Sequence, residues 1–200
     1  MKKIIQYLLL IFTLPLPTSA QNVDLSQIIS YLESIKSLGA QFRQVNHDGS
    51  ISTGTLYIKK PGKLRMTYAS PETYIIIVNG EYITILDMKN VGFNQKLSIK
   101  KNPLRLLLSS KLELDLNESI IALKSNQSKT TIIVSDTNNA NKETLKVIFN
   151  TNPLIFEKWI YINSLNEKIA VELTNIDTGN DFNDSLFDPI AVSNIDINKP

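Results

Sequence analysis

The chain offers few side chains that could carry out acid–base, nucleophilic or metal chemistry. His47 is the only histidine, and the sequence contains no cysteine. A metal site built on two histidines is therefore excluded, as are a thiol nucleophile and a thiolate metal site. Because Asp48, Gly49 and Ser50 follow His47 and are typical of turns, we interpret this histidine as a solvated turn residue.

The acidic residues also lack a catalytic or metal-binding pattern. One group contains Glu113, Asp115 and Glu118, and a second contains Asp181 and Asp184. Neither group has the spacing of a calcium-binding loop, and no serine nucleophile elbow is evident. A carboxylate pair assembled from distant residues would make a hydrolase, which stays an alternative. The sequence favours a protein that is not an enzyme and needs no cofactor or metal.

The basic residues around position 60 are the remaining candidates. Alternation places Lys59, Lys63 and Arg65 on the polar face of a predicted hairpin, where we expect them to be solvated. Lys60 differs because it lies in the turn before Pro61. There its long side chain can reach backbone carbonyl groups of whatever element closes that end of the sheet.

The first 20 residues have the composition of a secretory signal peptide. Two lysines precede an apolar run from Ile4 to Leu14, and small residues end at Ala20. The run is shorter than the roughly 20 residues that span a bilayer, although a retained anchor is the alternative. We expect cleavage after Ala20 and one domain over residues 21–200.

Removal of this segment changes the net charge. The full chain has 21 basic and 19 acidic residues, so loss of the two lysines leaves 19 of each. A formally neutral domain gives no reason to expect nucleic acid or an anionic membrane surface as a partner. With 42% hydrophobic residues, a domain of this length can form a core without disulfides.

Two consecutive hairpins are predicted between residues 54 and 87. Apolar side chains occupy every second position, at Leu56, Ile58, Leu64, Met66 and Tyr68. This alternation is typical of an antiparallel sheet with one buried face. The sequence KPGK predicts the first turn, and Asn79-Gly80 predicts the second, between residues 74–78 and 81–86.

Two helices are predicted beside these hairpins. Residues 24–38 have the apolar spacing of one helical face, including Ile28, with Asp24 as the N-cap and Gly39 as a left-handed stop. Asn102-Pro103 opens a shorter helix. Its leucines, at Leu104, Leu106, Leu107 and Leu108, leave no polar side, so it must be covered or must cover an apolar opening.

The rest of the chain predicts further strands. A weaker strand is predicted at 91–99, and stronger ones at 120–124, 130–135, 144–149, 157–162 and 169–176. Leu186 and Phe187 are expected to dock the C-terminal segment, and the polar tail after them is expected to fray. A long antiparallel meander usually curls. The predicted fold is therefore mainly β, a half-barrel covered by helices.

In this order the elements resemble the periplasmic outer-membrane lipoprotein carrier family, LolA. The resemblance lies in the first helix followed by GAQFRQV, then GTLYIKKPGKLRMTY, TYIIIVNGEYITILD and NPLRLLL, with LFDP near the end. It implies an incomplete antiparallel β-barrel of about eleven strands, with an α-helical lid over a cavity for acyl chains. It also implies a periplasmic monomer that takes acylated lipoproteins from an ATP-driven inner-membrane release complex to an outer-membrane receptor.

The resemblance also implies roles for individual residues. The cavity would be lined by Leu56, Ile58, Leu64 and Met66, and the lid would contain Leu104, Leu107 and Leu108. Lys60 stands where the family's best-known member has an arginine bonded to the lid backbone. Because lysine has a compact ammonium instead of a planar fork, we expect a weaker or differently set latch.

Three other functions compete with a carrier. The outer-membrane receptor of the same pathway has a similar fold but needs a lipid-bearing cysteine after its signal, and this chain has Gln21 there. One protein that does both jobs, where no separate receptor exists, is a variant of the carrier. The second competing function is a lipid-binding sensor of envelope stress with a similar fold. A periplasmic hydrolase using the same cleft is the third.

Overall fold

A single antiparallel sheet of eleven strands forms the body of the protein. The computed structural model describes residues 23–90, 94–112, 120–135 and 143–197. The helices are α1 (Leu25–Ser34), α2 (Arg105–Leu108) and α3 (Pro189–Ile197), with a 3₁₀ helix at Asp184–Phe187. The strands are β1 (Ser37–Val45), β2 (Ile51–Lys59), β3 (Lys63–Tyr68), β4 (Tyr74–Asn79), β5 (Tyr82–Asp87), β6 (Gln95–Ser98), β7 (Ile120–Ser125), β8 (Lys129–Ser135), β9 (Thr144–Asn150), β10 (Ile155–Ile162) and β11 (Lys168–Thr178).

The strand order shows that the barrel is incomplete. It runs β6-β5-β4-β3-β2-β1-β11-β10-β9-β8-β7, so two meanders meet where β1 pairs with β11. Strands β6 and β7 are the two edges of the described sheet. The mainly β, unclosed barrel with short helices that the sequence predicts is confirmed.

Both predicted hairpins are present. Strands β2 and β3 pair around the turn at Lys60–Gly62, and β4 and β5 pair around Asn79-Gly80. Gly62 and Gly80 both have positive φ, which a residue without Cβ adopts at little cost. The capping box at Asp24 and Gln27 is also present.

The predicted first helix is too long. In the structure α1 ends at Ser34, and residues 37–45 form β1. Gly39 therefore lies inside a strand and does not stop a helix. The reason is tertiary: β1 pairs with β2 on one side and with β11 on the other. Leu38 of β1 pairs with Ile58 of β2, and both side chains are buried. This burial and the backbone hydrogen bonds on both sides of β1 outweigh the helical spacing of the sequence.

Two further boundaries differ from the sequence predictions. The described part of the weak strand is Gln95–Ser98, and residues 91–93 lie outside the described ranges. The short helix begins at Arg105. The Asn102 Oδ1 atom accepts a hydrogen bond from the N–H of Leu104 at 2.9 Å, which closes a turn before the helix.

The C-terminal segment contains structure that the sequence analysis missed. Phe187 is fully buried, as expected, but the segment after it forms α3. Val192 of this helix joins a small core on the outer face of the sheet, with Ile75, Ile77 and Leu86. The outer face of β4 and β5 is therefore covered here.

Close backbone packing at Gly54 gives a stability prediction. A Cβ atom there would overlap the Thr67 carbonyl oxygen and lie 2.8 Å from the Phe42 ring, which packs edge-on against Tyr68. We expect Gly54→Ala to lower the free energy of unfolding by about 2 kcal/mol. Urea denaturation measures the change, with the exposed Thr55→Ala as control. Equal stability of the two variants would contradict the packing described.

Candidate functional site

The inner face of the β1–β6 half is a continuous apolar surface. Paired residues in adjacent strands point to the same side of a sheet. One cross-strand row contains Leu38, Ile58, Leu64, Val78, Ile83 and Leu97. The next row contains Ala40, Leu56, Met66, Ile76 and Ile85. We call this surface the trough.

The four residues predicted to line a cavity lie together in the trough. Leu56, Ile58, Leu64 and Met66 are all at most 6% exposed and belong to one hydrophobic core. The structure thus brings the predicted set onto one face.

The two short helices cover much of this surface. Ile28 and Leu32 of α1 are buried in the same core. Leu107 and Leu108 of α2 join it, together with Leu106, whereas Leu104 is partly buried and packs against the rim of the core. Of the three leucines predicted for a lid, Leu107 and Leu108 are buried in this core and Leu104 is partly buried, and their role as a lid stays a prediction.

The trough is not covered over its whole width. Leu97, on the edge strand β6, lies in a row with Ile83 and is 52% exposed. Ile76, Ile83 and Ile85 are only partly buried. Apolar side chains of the inner face are therefore exposed on this side of the described sheet.

The turn between β2 and β3 holds both helices. The Lys60 Nζ atom donates to the carbonyl oxygen of Leu32 at 2.7 Å, at the end of α1. The N–H of Gly62 donates to the carbonyl oxygen of Leu108 at 2.9 Å, at the end of α2. The Leu32 carbonyl oxygen also accepts from the N–H of Ile35 at 3.3 Å, so Lys60 adds a second hydrogen bond to it. Carbonyl groups near a helix end can accept such bonds from a neighbouring cation or N–H.

Two more hydrogen bonds tie α1 to its surroundings. The Glu33 Oε1 atom accepts from the N–H of Leu112 at 2.7 Å, which connects α1 to the segment after α2. The Tyr31 hydroxyl oxygen accepts from the N–H of Phe156 at 2.9 Å, in strand β10 of the other half of the sheet. The helix is thus held at both sides by a small number of polar contacts.

A surface pocket lies at the seam between α2 and the turns that contain Gly62 and Gly80. Its volume is about 260 Å³, and it is bordered by Pro61, Gly62 and Leu108 among others. Few contacts and open space are features of segments that open locally. We expect this seam to part before the strands do.

The surroundings of Lys60 lower its pKa to about 8. Burial of the ammonium is the largest cause, repulsion by Lys36 adds to it, and Glu33 acts in the opposite direction. Because this half-buried lysine charges less readily than a solvated one, its contact with Leu32 depends on pH.

Lys59 and Lys63 are not merely solvated, which corrects the sequence interpretation. The Lys59 Nζ atom lies 2.9 Å from Asp181 Oδ1 and 3.0 Å from Asp184 Oδ1, and Lys63 Nζ lies 2.8 Å from Asp184 Oδ2. Hydrogen bonds from Lys63 and then Lys59 lower the pKa of Asp184. These pairs fasten the C-terminal segment to the outer side of the turn. Arg65 donates from Nε to the Thr67 hydroxyl at 3.0 Å.

The candidate acid–base and metal-binding side chains from the sequence are not brought together in the described residues. The His47 Nδ1 atom is 3.8 Å from Glu167 Oε1, and both side chains are well exposed. Within the described ranges, no group of three His, Asp or Glu residues could hold a metal ion. Glu113, Asp115 and Glu118 lie outside the described residues. None of the helices in the described part has the length and apolar character needed to cross a bilayer.

Fold and site together define an incomplete antiparallel β-barrel whose apolar concave face lies under two helices. The family model for the outer membrane lipoprotein carrier protein LolA matches residues 33–189. The chain therefore belongs to the LolA family.

Two relatives give more detail. An uncharacterized protein of Rickettsia prowazekii, RP864, is 29% identical over 171 residues, which are 83% of this chain and 76% of that protein. An outer-membrane lipoprotein carrier protein of Methylococcus capsulatus is 32% identical over 76 residues. That match spans 36% of each protein.

Solved structures with a similar arrangement are remote in sequence. The LolA superfamily protein NE2245 of Nitrosomonas europaea has a TM-score of 0.45 and 10% identity, over 84% of this chain and 99% of that one. A DUF1329 family protein of Desulfovibrio piger has a TM-score of 0.47 and 8% identity, over 82% and 94% of the two chains.

The Lys60 environment predicts how stability depends on pH. The unfolded chain keeps the Lys60 proton up to about pH 10.5, whereas the folded chain releases it near pH 8. Folding is therefore favoured as pH rises through this window. Relative to Lys60→Met, we expect the free energy of unfolding of the unmodified chain to rise by about 1 kcal/mol across it. Chemical denaturation at both ends of the window measures this difference. A pH-independent difference would contradict the half-buried position of Lys60.

Proposed function

We propose that this chain is a soluble periplasmic carrier that binds the acyl chains of lipoproteins in the trough and transports them from the inner to the outer membrane. The observation that carries this proposal is the apolar inner face of the sheet, covered by two helices that few hydrogen bonds hold in place. Membership in the LolA family supports it. The signal peptide with cleavage after Ala20 and the carrier domain at 21–200 are parts of the same proposal.

The physical need for such a carrier follows from the cost of exposing acyl chains to water. Burial of each CH₂ group is worth about 0.8 kcal/mol, so a diacylated protein cannot leave a membrane unaided. The trough offers Leu56, Leu64 and Met66 as replacement contacts. Binding need only match the membrane, because transfer onward requires a receptor that binds more tightly.

In the proposed mechanism, the closed and loaded states differ in the position of the helices. Entering acyl chains displace Leu107 and Leu108 of α2 from the core and take their place. The same movement breaks the hydrogen bond between Lys60 and Leu32. Because the ligand binds only where these side chains have moved, it shifts the population toward the open form.

The proposed partners follow from this role. They are acylated lipoproteins as cargo, an ATP-driven release complex at the inner membrane, and an outer-membrane receptor where one exists. The LolA family is one of non-enzymatic carriers. The carrier is favoured over the receptor of the same fold because the sequence has no cysteine to bear a lipid anchor.

The exposed part of the trough provides a test that does not disturb folding. Leu97 is 52% exposed, so Leu97→Glu should leave the melting temperature unchanged but place a carboxylate where an acyl chain would lie. We expect it to weaken binding of a fluorescent fatty acid about tenfold. The control is Ser98→Glu, whose side chain points to the opposite face of the same strand. Unaltered binding by Leu97→Glu would show that acyl chains do not use the trough.

Loss of the Lys60 hydrogen bond tests the latch. Lys60→Met removes the bond to Leu32 and should make opening easier, raising both the uptake rate and the affinity for the fatty acid about fivefold. Stopped-flow fluorescence measures both quantities. The exposed Lys101→Met serves as control. If Lys60→Met takes up and releases ligand at the normal rates, Lys60 is not a latch.

A further inference from the structure

The trough ends in a polar pocket at the side opposite to the turn that holds the helices. This pocket has a volume of about 380 Å³ and combines apolar walls at Tyr74, Ile76 and Ile85 with polar walls at Gln44, Ser52 and Glu72. Ile76 and Ile85 also belong to the second row of the trough. The volume is that of a small-ligand site. The pocket is thus continuous with the proposed acyl-binding surface.

Four hydrogen bonds connect the polar wall in one direction. The Tyr68 hydroxyl donates to Gln44 Oε1 at 2.8 Å, and Gln44 Nε2 donates to Asn46 Oδ1 at 2.6 Å. Asn46 Nδ2 donates to the Ser50 hydroxyl oxygen at 2.9 Å and to the Ser52 hydroxyl oxygen at 3.4 Å. The Ser52 hydroxyl then donates to Glu72 Oε1 at 3.1 Å, and the Ser50 hydroxyl donates to Asp48 Oδ1 at 2.7 Å. Both branches of this series end on a carboxylate, and the branch through Ser52 ends at Glu72 inside the pocket.

The direction of these bonds decides what the pocket can bind. The hydroxyl protons of Tyr68 and Ser52 are already donated within the wall, so the capacity that remains there consists mainly of acceptors. Glu72 accepts only, and within the described ranges no lysine or arginine forms an ion pair with it. An anion would meet a carboxylate and oxygen lone pairs, whereas a cationic donor would be attracted.

The behaviour of Tyr68 agrees with a negative potential in the pocket. Burial raises its pKa to about 12, and the charge of Glu72 adds to this rise. The tyrosine therefore stays neutral and keeps donating to Gln44 at physiological pH.

We propose that this pocket binds a primary ammonium group attached to an acyl chain, with the ammonium at Glu72 and the chain running over Ile76 and Ile85 into the trough. This inference rests on the proposed function, because the chain is the ligand of the trough. It adds an orientation, with the polar head at the Glu72 end and the acyl tail toward Lys60. It also adds a preference for cargo whose amino group is free.

The experiment measures the contribution of the ammonium group to binding separately from that of the acyl chain. Binding of dodecylammonium, dodecanol and dodecanoate is measured by displacement of a fluorescent fatty acid, at concentrations below micelle formation. We expect dodecylammonium to bind about three- to tenfold more tightly than dodecanol, and dodecanoate to bind more weakly. Glu72→Gln should abolish this preference. The matched control is Glu81→Gln, which changes a carboxylate paired with Lys100 outside the pocket.

The outcomes for the pocket and for the carrier function are distinguishable. Dodecanol binding with no preference for the ammonium, or a preference that Glu72→Gln leaves intact, overturns the pocket proposal while the carrier function stands. Failure of all three ligands to bind contradicts both. Weaker binding of dodecanol itself to Glu72→Gln would show a structural effect and also overturn the proposed role.

The source of the ammonium is found with two further pairs of ligands. One pair is a diacylated lipopeptide with a free amino terminus and its N-acetylated form. The other is lysophosphatidylethanolamine and its N-acetylated form. The pair that loses more affinity on acetylation identifies the source, and no loss in either pair contradicts the proposal.

Discussion

The structure depends on the way one turn holds two helices over an apolar face. Lys60 and Gly62 each donate one hydrogen bond to a helix end, at Leu32 and Leu108. Two further hydrogen bonds, at Glu33 and Tyr31, hold α1. Apolar burial adds to these bonds, and for the three buried leucines of α2 it is on the order of 5–9 kcal/mol. About ten CH₂ groups of an acyl chain regain a similar amount, at about 0.8 kcal/mol each. Displacement of the helices by an acyl chain would therefore be nearly balanced, as the proposed reversible carriage requires.

The alternation of side chains along the strands separates the proposed ligand-binding face from the residues that anchor the turn between β2 and β3. Inward side chains of β2 and β3, such as Leu56 and Met66, form the trough, while Lys59 and Lys63 point outward and pair with Asp184. Asp184, which comes after the last strand in the sequence, thus holds the outer side of the turn between β2 and β3. The inner side stays available for helices or ligand, because the outer contacts fix the turn without entering the core.

Local patterns predicted most of the fold but not its long-range contacts. Alternation identified the trough residues, and Asn79-Gly80 located a hairpin, because each signal acts between near neighbours. The end of α1 was misjudged since Leu38 fits both a helical face and an inward strand position, and only pairing with β2 and β11 decides between them. The ion pair of Lys59 with Asp181 joins residues 122 positions apart, which no local pattern reports.

The most direct measurement of the central claim is the distance between α1 and the sheet with and without cargo. Since the sequence has no cysteine, cysteines introduced at the exposed Ser30 and Thr53 take spin labels at those positions alone. Double electron–electron resonance should show one short distance between the two spin labels in the free protein, and a longer distance after a diacylated lipopeptide is added. An unchanged distance with the lipopeptide fully bound would contradict a trough that loads by moving its helices.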